Sequence, residues 1–241
     1  MSVTQRYRES WEGFWREAPD GEAAVFWDAA PDVTAAAHLP LFVPHLLDAG
    51  LPLVDLGCGN GTQTRFLAEH FARVVGVDLS DAALDRARRA DPEGRAAYRF
   101  LDAVEEGAAE ALHAELGDAN VYVRGVLHQC GPEDRQPLVD AVAALLGDRG
   151  RAFLVEPSEG AGAILGALAR RPEGPPPKLA PIFHHGIAPA AVPDAAVPDF
   201  LTSAGLTVLA LGQAPLTTTE HTADGTPVVL PSQWVVAGRA D

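Results

Sequence analysis

The sequence predicts an α/β fold with a doubly wound, mostly parallel sheet of about seven strands and a C-terminal antiparallel hairpin. Three observations predict it. Short apolar runs alternate with helical patterns between residues 50 and 157, as in chains that build parallel sheets. Polar side chains follow the runs, at the sheet edge where ligands bind in such folds. Asp224-Gly225 separates a Thr-rich run from a Val-rich run, which favours a hairpin.

The first 48 residues are rich in aromatic side chains. Trp11, Phe14 and Trp15 have the i, i+3, i+4 spacing that places them on one helix face. Two interpretations of this helix stay open. It packs against the core, or it covers a ligand pocket as a lid.

Five strands and the helices between them are predicted next. The strand patterns span residues 53–56, 73–77, 98–101, 121–126 and 151–155. The helical patterns between them span residues 62–72, 81–90, 103–116 and 132–146. Ser80 is the expected N-cap of the second helix, because a serine oxygen accepts from the free N–H groups of a first turn. The alternation places helices on both faces of the sheet.

The pattern changes after residue 157. A helix is predicted at 161–171, followed by a Pro-rich segment at 172–198 and a short helix at 199–204. Two further strands are predicted at 206–211 and 233–237 and should form the terminal hairpin.

Composition excludes several classes of partner. The 241 residues carry 18 basic and 33 acidic side chains, a formal net charge of −15. Such a chain repels phosphate backbones and anionic lipids, so we expect neither a nucleic-acid nor a membrane partner. No apolar stretch has the ~20 residues of a membrane helix. The first residues have no apolar signal core, so we expect a cytoplasmic protein.

The two cysteines, Cys58 and Cys130, are too few for a disulfide framework or a four-thiolate zinc site, and we expect free thiols. No cysteine–histidine pair has the spacing of zinc ligands, so we expect no metal site.

A glycine-rich loop follows the first strand, with Asp55, Gly57, Gly59 and Gly61 at alternate positions. Glycine permits a tight turn and lets the backbone approach a ligand, and the next helix presents free N–H groups to it. A dinucleotide-binding loop would have a small residue where Thr62 stands, so that class fits poorly.

At this loop and at four further positions, the sequence resembles the class I S-adenosylmethionine-dependent methyltransferases. Residues 55–61 match the D-x-G-x-G-x-G pattern of that family, and Asp78 and Asp102 match the acidic residues after its second and third strands. Residues 125–129 resemble its V-L-x-H pattern, and residues 150–157 resemble its E-P pattern after the fifth strand.

The resemblance implies a Rossmann-like fold, S-adenosylmethionine as the cofactor and S-adenosylhomocysteine as its product. It implies that Asp78 binds the ribose hydroxyls, Asp102 the adenine amino group and Asp55 the methionine ammonium, with Leu79 and Ala103 against the adenine faces. Helix capping is the alternative for the first two of these carboxylates.

The resemblance further places Arg124 and Gly125 near the sulfonium. Methyl transfer needs alignment, and it needs a base only where the acceptor loses a proton. His184 and His185, and after them His128, are the candidate catalytic residues. A structural role at the head of the next helix is the alternative for His128.

The acceptor pocket is expected between Trp11 and Trp15 on one side and the insertion with Phe183 on the other. Glu156 is expected beside this pocket, or bracing the strand–loop junction. We therefore interpret the chain as one domain in four parts: an N-terminal lid (1–48), a cofactor-binding half (49–157), an acceptor-pocket insertion (158–204) and a terminal hairpin (205–241).

The function expected from the resemblance is methyl transfer to a small molecule, with a specialised metabolite as the expected acceptor. The alternative is a protein of the same fold that binds S-adenosylmethionine without methylating, as a cyclase-like catalyst or a regulatory module. The oligomeric state stays open.

Overall fold

The fold is built around one mixed sheet in a computed structural model that describes residues 3–21, 23–172, 174–187, 192–222 and 224–240. The strands are β1 Leu53–Leu56, β2 Val74–Asp78, β3 Ala97–Phe100, β4 Asn120–Arg124, β5 Arg151–Pro157, β6 Thr207–His221 and β7 Pro227–Gly238. Their order is β3-β2-β1-β4-β5-β7-β6. The first five strands are parallel, and β7 pairs antiparallel with β5 and β6. The predicted fold class is confirmed.

Helices lie at the N-terminal end of the described chain, between the parallel strands, and between β5 and β6. They are α1 Val3–Glu17, α2 Ala35–Phe42, α3 Thr62–Leu67, α4 Asp81–Ala90, α5 Ala108–Leu116, α6 Arg135–Leu146, α7 Ala161–Ala169, α8 Ala180–His184 and α9 Ala196–Ser203. Within these described ranges, no helix combines the length and the apolar character needed to cross a membrane.

Four helices, α3, α5, α6 and α7, are shorter than the sequence predicts, and α3 and α5 differ most. The α5 helix begins five residues late, because residues 102–107 form turns that end at Gly107, with φ 81°. The α3 helix ends at Leu67. There hydrogen bonds between residues three apart, such as His70 N to Leu67 O, replace the helical pattern. The α4 helix has its predicted bounds, and its N-cap Ser80 accepts a hydrogen bond from Ala83 N at 3.2 Å.

Both faces of the sheet are buried, which explains why its strands are nearly continuous apolar runs. One face packs on α5, α6 and α9 through side chains such as Val54, Leu56, Val75, Val77, Val121 and Val123. The other face packs on α2 and α3 through Leu53, Val74, Tyr122 and Phe153.

The hairpin is longer than predicted, with 15 residues in β6 and 12 in β7. Its far half contacts the segment that follows α1: Thr219 N donates to Phe26 O at 2.9 Å, and Thr219 Oγ1 donates to Val25 O at 2.8 Å. The N-terminal segment, the insertion and the hairpin therefore share one apolar cluster. Its members include Phe14, Trp15, Phe26, Leu168, Ile182, Leu216 and Leu230.

Candidate functional site

A cavity of about 420 Å³ lies at the carboxyl ends of the parallel strands. Strand ends and the loops after them line one end, through Asp55, Gly57, Gly59, Asp78, Leu79, Asp102, Ala103, Arg124, Gly125 and His128. Apolar and aromatic side chains line the other end, among them Tyr7, Trp11, Trp15, Trp27, Leu165, Ile182, Phe183, Leu216 and Leu230. Most of the predicted site residues therefore meet at one cavity.

The glycine loop is close-packed at the two glycines that face the cavity. A Cβ on Gly57 would lie 2.5 Å from Val126 Cγ2, and a Cβ on Gly59 would lie 2.9 Å from Trp15 Cζ2. Only hydrogen fits at these positions, so the backbone itself forms the wall. Gly61 lies outside the cavity lining, at the start of α3 with φ 76°, where Tyr98 would contact a Cβ.

Asp78 ends β2 and holds the glycine loop. Its Oδ2 accepts from Gly59 N at 2.9 Å, and its Oδ1 accepts from Ser80 N at 2.9 Å. Burial raises the pKa of the Asp78 carboxyl to about 6, against the lowering effect of these bonds. Each carboxylate oxygen keeps a further lone pair for a ligand that lies in the cavity.

Asp55 is the buried carboxylate at the end of β1. Its Oδ2 accepts from Thr64 Oγ1 at 2.6 Å. Burial raises the pKa of Asp55 to about 6, and the Thr64 hydrogen bond and the Arg124 charge oppose the rise. Arg124 itself donates through Nη1 to Trp27 O at 3.0 Å. A carboxylate buried in this way is suited to a cationic partner.

Neither Asp78 nor Asp102 is the N-cap of a helix, so the capping alternative is not observed for either residue. Asp102 precedes a turn, with its Oδ1 accepting from Val104 N at 3.3 Å, while Gly107 is the N-cap of α5. The N-cap of α4 is Ser80, two residues after Asp78. Both carboxylates instead line the cavity.

His128 and Glu156 form a dyad at the ends of β4 and β5. Glu156 Oε1 accepts from Val126 N at 2.9 Å and Leu127 N at 2.8 Å, and its Oε2 accepts from His128 N at 3.2 Å and His128 Nδ1 at 2.7 Å. Because the carboxylate accepts from Nδ1, the lone pair of the imidazole is on Nε2, which lies 2.7 Å from Gln129 Nε2. The amide nitrogen donates to it.

Glu156 is 2% exposed and lies outside the cavity lining. It thus braces the strand–loop junction, and the expected position beside the pocket is corrected. The physical reason is its four donors, which hold the carboxylate behind His128.

The structure also corrects the expected placement of His184 and His185, because neither lines the cavity. Ile182 lies in the apolar cluster, and Phe183 lines the cavity while it remains 47% exposed. The next two residues continue around the end of α8 to the outer side. There His185 Nε2 lies 3.0 Å from Glu17 Oε2.

Trp11 and Trp15 line the cavity as predicted, and Trp27 joins them. The ring centroid of Trp27 lies 5.4 Å from that of Trp11, 5.2 Å from that of Phe14 and 6.1 Å from that of Trp15. Trp27 follows α1 in an irregular segment and was not among the predicted site residues. Its aromatic character was the signal that could have found it.

Three polar residues that line the cavity were also missed. Asp28 Oδ2 accepts from Asn60 Nδ2 at 2.6 Å, and Gln63 Nε2 donates to Ala29 O at 2.9 Å. They fix the segment after Trp27 to the glycine loop. The position of Gln63 in the first turn after that loop was the available signal.

The C-terminal half of α1 is fixed against α4 and its N-cap at two points. Glu12 Oε2 accepts from Ser80 Oγ at 2.7 Å and from Ala82 N at 3.1 Å. Arg86 Nε donates to Trp15 O at 2.6 Å, near the last turn of α1. The helix thus packs into the core, and its Trp11 and Trp15 side chains also line the cavity.

Comparison with known proteins agrees with this geometry. A family model described as "Methyltransferase domain" matches residues 53–150. An uncharacterised methyltransferase of Synechocystis sp. is 33% identical over 111 residues, 46% of this chain and 49% of that protein. A ubiquinone biosynthesis O-methyltransferase of Cupriavidus pinatubonensis is 36% identical over 107 residues, 44% of this chain and 41% of that protein.

A solved structure, an S-adenosylmethionine-dependent methyltransferase from Anabaena variabilis, superimposes over the whole chain. It is 29% identical, with a TM-score of 0.89, and the match covers 100% of this chain and 96% of that one. These matches support a class I S-adenosylmethionine-dependent methyltransferase. The matched region spans about half or less of the length of these curated relatives.

The Anabaena relative is S-adenosylmethionine-dependent, which supports S-adenosylmethionine as the cofactor and S-adenosylhomocysteine as its product. The residues present fit it. Gly57 and Gly59 leave the loop backbone uncovered at the cavity wall, and two carboxylates lie at the ends of β1 and β2 in the same cavity. The ribose hydroxyls and the ammonium group of the cofactor would donate to these carboxylates.

Proposed function

We propose that this methyltransferase transfers the methyl group of S-adenosylmethionine to a small-molecule acceptor. The observation that carries the proposal is the single cavity that joins the glycine loop and acidic strand ends to an aromatic end. A donor held at the first end would direct its methyl group toward the second.

The acidic residues would hold the cofactor. Asp78 would accept from the two ribose hydroxyls, Asp102 from the adenine amino group, and Asp55 would face the methionine ammonium. Leu79 and Ala103 would contact the adenine faces. Their common placement in the cavity lining supports these roles, and a carboxylate can accept two vicinal hydroxyls.

The loop glycines would let the backbone approach the cofactor. Gly57 and Gly59 already form the wall of the cavity. Arg124 and Gly125 line the cavity at the end of β4, just before the turn that carries His128, and we place the sulfonium side there.

The cofactor supplies an activated methyl group, so the chain has to align the acceptor, exclude water and remove a proton where the acceptor has one. His128 is placed to take that proton at Nε2, because Glu156 fixes its Nδ1. The acceptor would replace Gln129 Nε2 as the hydrogen-bond partner of His128 Nε2.

The aromatic end indicates the chemistry of the acceptor. Trp11, Trp15, Trp27 and Phe183 favour a compact, largely apolar molecule. In the described part of the chain, buried Gln129 Oε1 has no hydrogen-bond partner. An acceptor hydroxyl or amine beside His128 would satisfy it, and a specialised metabolite is the class we propose.

The experiment is incubation with S-adenosylmethionine that carries a deuterated methyl group, together with a metabolite extract. Mass spectrometry should show a labelled small molecule that is missing when Asp78→Ala replaces the wild type. Calorimetry with S-adenosylhomocysteine and with NAD, side by side, reports cofactor binding independently. Binding of S-adenosylhomocysteine without any labelled product would favour the non-methylating alternative, and binding of NAD alone would exclude both.

A further inference from the structure

The helices α1 and α8 cover the aromatic end of the cavity, and together they are called the cavity roof. Three potential metal ligands lie together on its outer side, where these two helices end. The ligand atoms of Glu17, His184 and His185 are all within 4.8 Å of one another. We propose that these three residues bind a divalent first-row transition metal, with Zn²⁺ as the preferred ion. The proposal does not rest on methyl transfer.

His185 is held in position before any ion binds. Its side chain is 13% exposed, and its ring makes an edge contact with Phe14, with the centroids 6.2 Å apart. Gly13 makes room for it, because a Cβ there would lie 3.0 Å from His185 Nδ1. The remaining ring nitrogen, Nε2, is therefore directed at Glu17, with Oε2 at 3.0 Å.

The other two ligands can adjust. His184 is exposed, and the side chain of Glu17 is 65% exposed, so rotation of either costs little packing. Tetrahedral ligands bound at about 2.0 Å lie about 3.3 Å apart, and small side-chain rotations would bring the three atoms to that separation. The ring centroids of His184 and His185 are already 5.1 Å apart.

The ligand types select the ion. Two imidazoles and one carboxylate suit zinc and its transition-metal neighbours, whereas Ca²⁺ and Mg²⁺ prefer oxygen ligands. The net charge of −15 attracts cations to the surface. Arg16, the cation next to Glu17, pairs with Glu12 at 3.0 Å and so does not neutralise the site.

A bound ion would connect two parts of the cavity roof. Glu17 ends the helix that carries Trp11 and Trp15, and His184 and His185 follow Ile182 and Phe183. The ion would therefore hold α1 and α8 together over the aromatic end of the cavity.

The first test is calorimetry of the tag-free, EDTA-treated full chain with zinc chloride. We expect one ion per chain, and we expect Glu17→Gln, His184→Ala and His185→Ala each to weaken binding about tenfold or more. His70→Ala, which removes an exposed histidine outside the cluster, is the matched control and should leave the affinity unchanged. Absence of binding, or equal affinities in all variants, would overturn the site.

The second test follows amide hydrogen exchange with and without Zn²⁺. Exchange in residues 7–17 and 180–187 should slow in the wild type and stay unchanged in His184→Ala. Equal exchange in the wild type with and without the ion would contradict the proposed connection between the helices.

Discussion

The indole ring of Trp15 packs on Gly59, so close that a Cβ at this glycine would lie 2.9 Å from Cζ2. The α1 helix, which lines the cavity, therefore packs directly on the glycine loop that we assign to the cofactor. Gly59 also has φ 55°, a conformation that side chains disfavour. Space and conformation both require glycine here.

We expect Gly59→Ala to weaken binding of S-adenosylhomocysteine by at least about tenfold, because a strained left-handed residue costs about 1–3 kcal/mol and the indole must also move. Calorimetry measures the loss. Gly94→Ala is the control, since this exposed glycine has φ 64°, nothing lies within 4 Å of a Cβ there, and it lies outside the cavity lining. Equal affinity of the Gly59 variant and the wild type would show that the loop does not contact the cofactor.

We expect Asp78→Ala to weaken cofactor binding more than tenfold and to leave the fold intact. Two hydrogen bonds to the ribose would be lost, each worth about 1.5–3 kcal/mol when the acceptor is charged. Titration with S-adenosylhomocysteine and circular dichroism give the two readouts. Glu110→Ala, an exposed carboxylate on α5, is the control, and an unchanged affinity of the Asp78 variant would refute the proposed ribose site.

Asp55→Asn should stabilise the cofactor-free protein at high pH. Burial raises the pKa of Asp55 from 3.8 to about 6, so the folded state binds this proton more tightly than the unfolded state. The contribution of Asp55 to the free energy of unfolding thus falls as pH rises from about 4 through 6. The neutral amide avoids this loss, and its oxygen can still accept from Thr64.

Thermal unfolding of the Asp55→Asn variant and the wild type at pH 5 and pH 8 checks this expectation. The difference in Tm should be larger at pH 8. Asp85→Asn, at an exposed position of α4, provides the comparison. A difference that is independent of pH would contradict the prediction.

His128→Gln should lower kcat by about 10²–10⁴ for an acceptor that loses a proton, the range typical of a general base. Binding of S-adenosylhomocysteine should be unchanged, which separates this effect from misfolding. The measurement uses the acceptor that the labelled-donor experiment identifies. His113→Gln, a surface histidine paired with Asp118 at 3.0 Å, serves as the control, and an unaltered kcat in the His128 variant would rule out the base.

Both thiols should resist alkylation in the native protein. The structure confirms that Cys58 and Cys130 are free. Burial raises the pKa of Cys58 well above its usual value and that of Cys130 to about 12, so little reactive thiolate forms. Iodoacetamide at pH 8 should label two thiols after unfolding and very little before it, as counted by mass spectrometry. Rapid native labelling, or a two-hydrogen deficit in fresh protein, would contradict this expectation.

The sheet and its acidic edge were predictable from the sequence because strand ends in a parallel sheet meet at one edge. That rule alone brought Asp55, Asp78, Asp102 and His128 to the same cavity. The long terminal hairpin was predictable from Asp224-Gly225, although its true length depends on contacts with the N-terminal segment.

The roof was less predictable, because irregular segments have no periodicity that fixes where a side chain points. His184 and His185 were expected at the cavity, yet they lie outside its lining, and His185 instead contacts Phe14 and Glu17. Trp27 lines the cavity through its contacts with α1, which a sequence pattern cannot contain. Glu156 was placed too near the acceptor for a different reason: it lies in β5, and its carboxylate accepts from backbone N–H groups of the turn after β4, a contact that the strand pattern does not contain.

The hydrogen bond between Thr219 and Val25 joins residues that are 194 positions apart in the chain. A contact of such high sequence separation forms late, after the loop between its partners has closed. During synthesis, the aromatic residues of the first segment would stay partly exposed until the terminal hairpin packs against them. Until then they form an exposed apolar surface that favours aggregation. We therefore expect the cavity roof to assemble last and to depend most on chaperones.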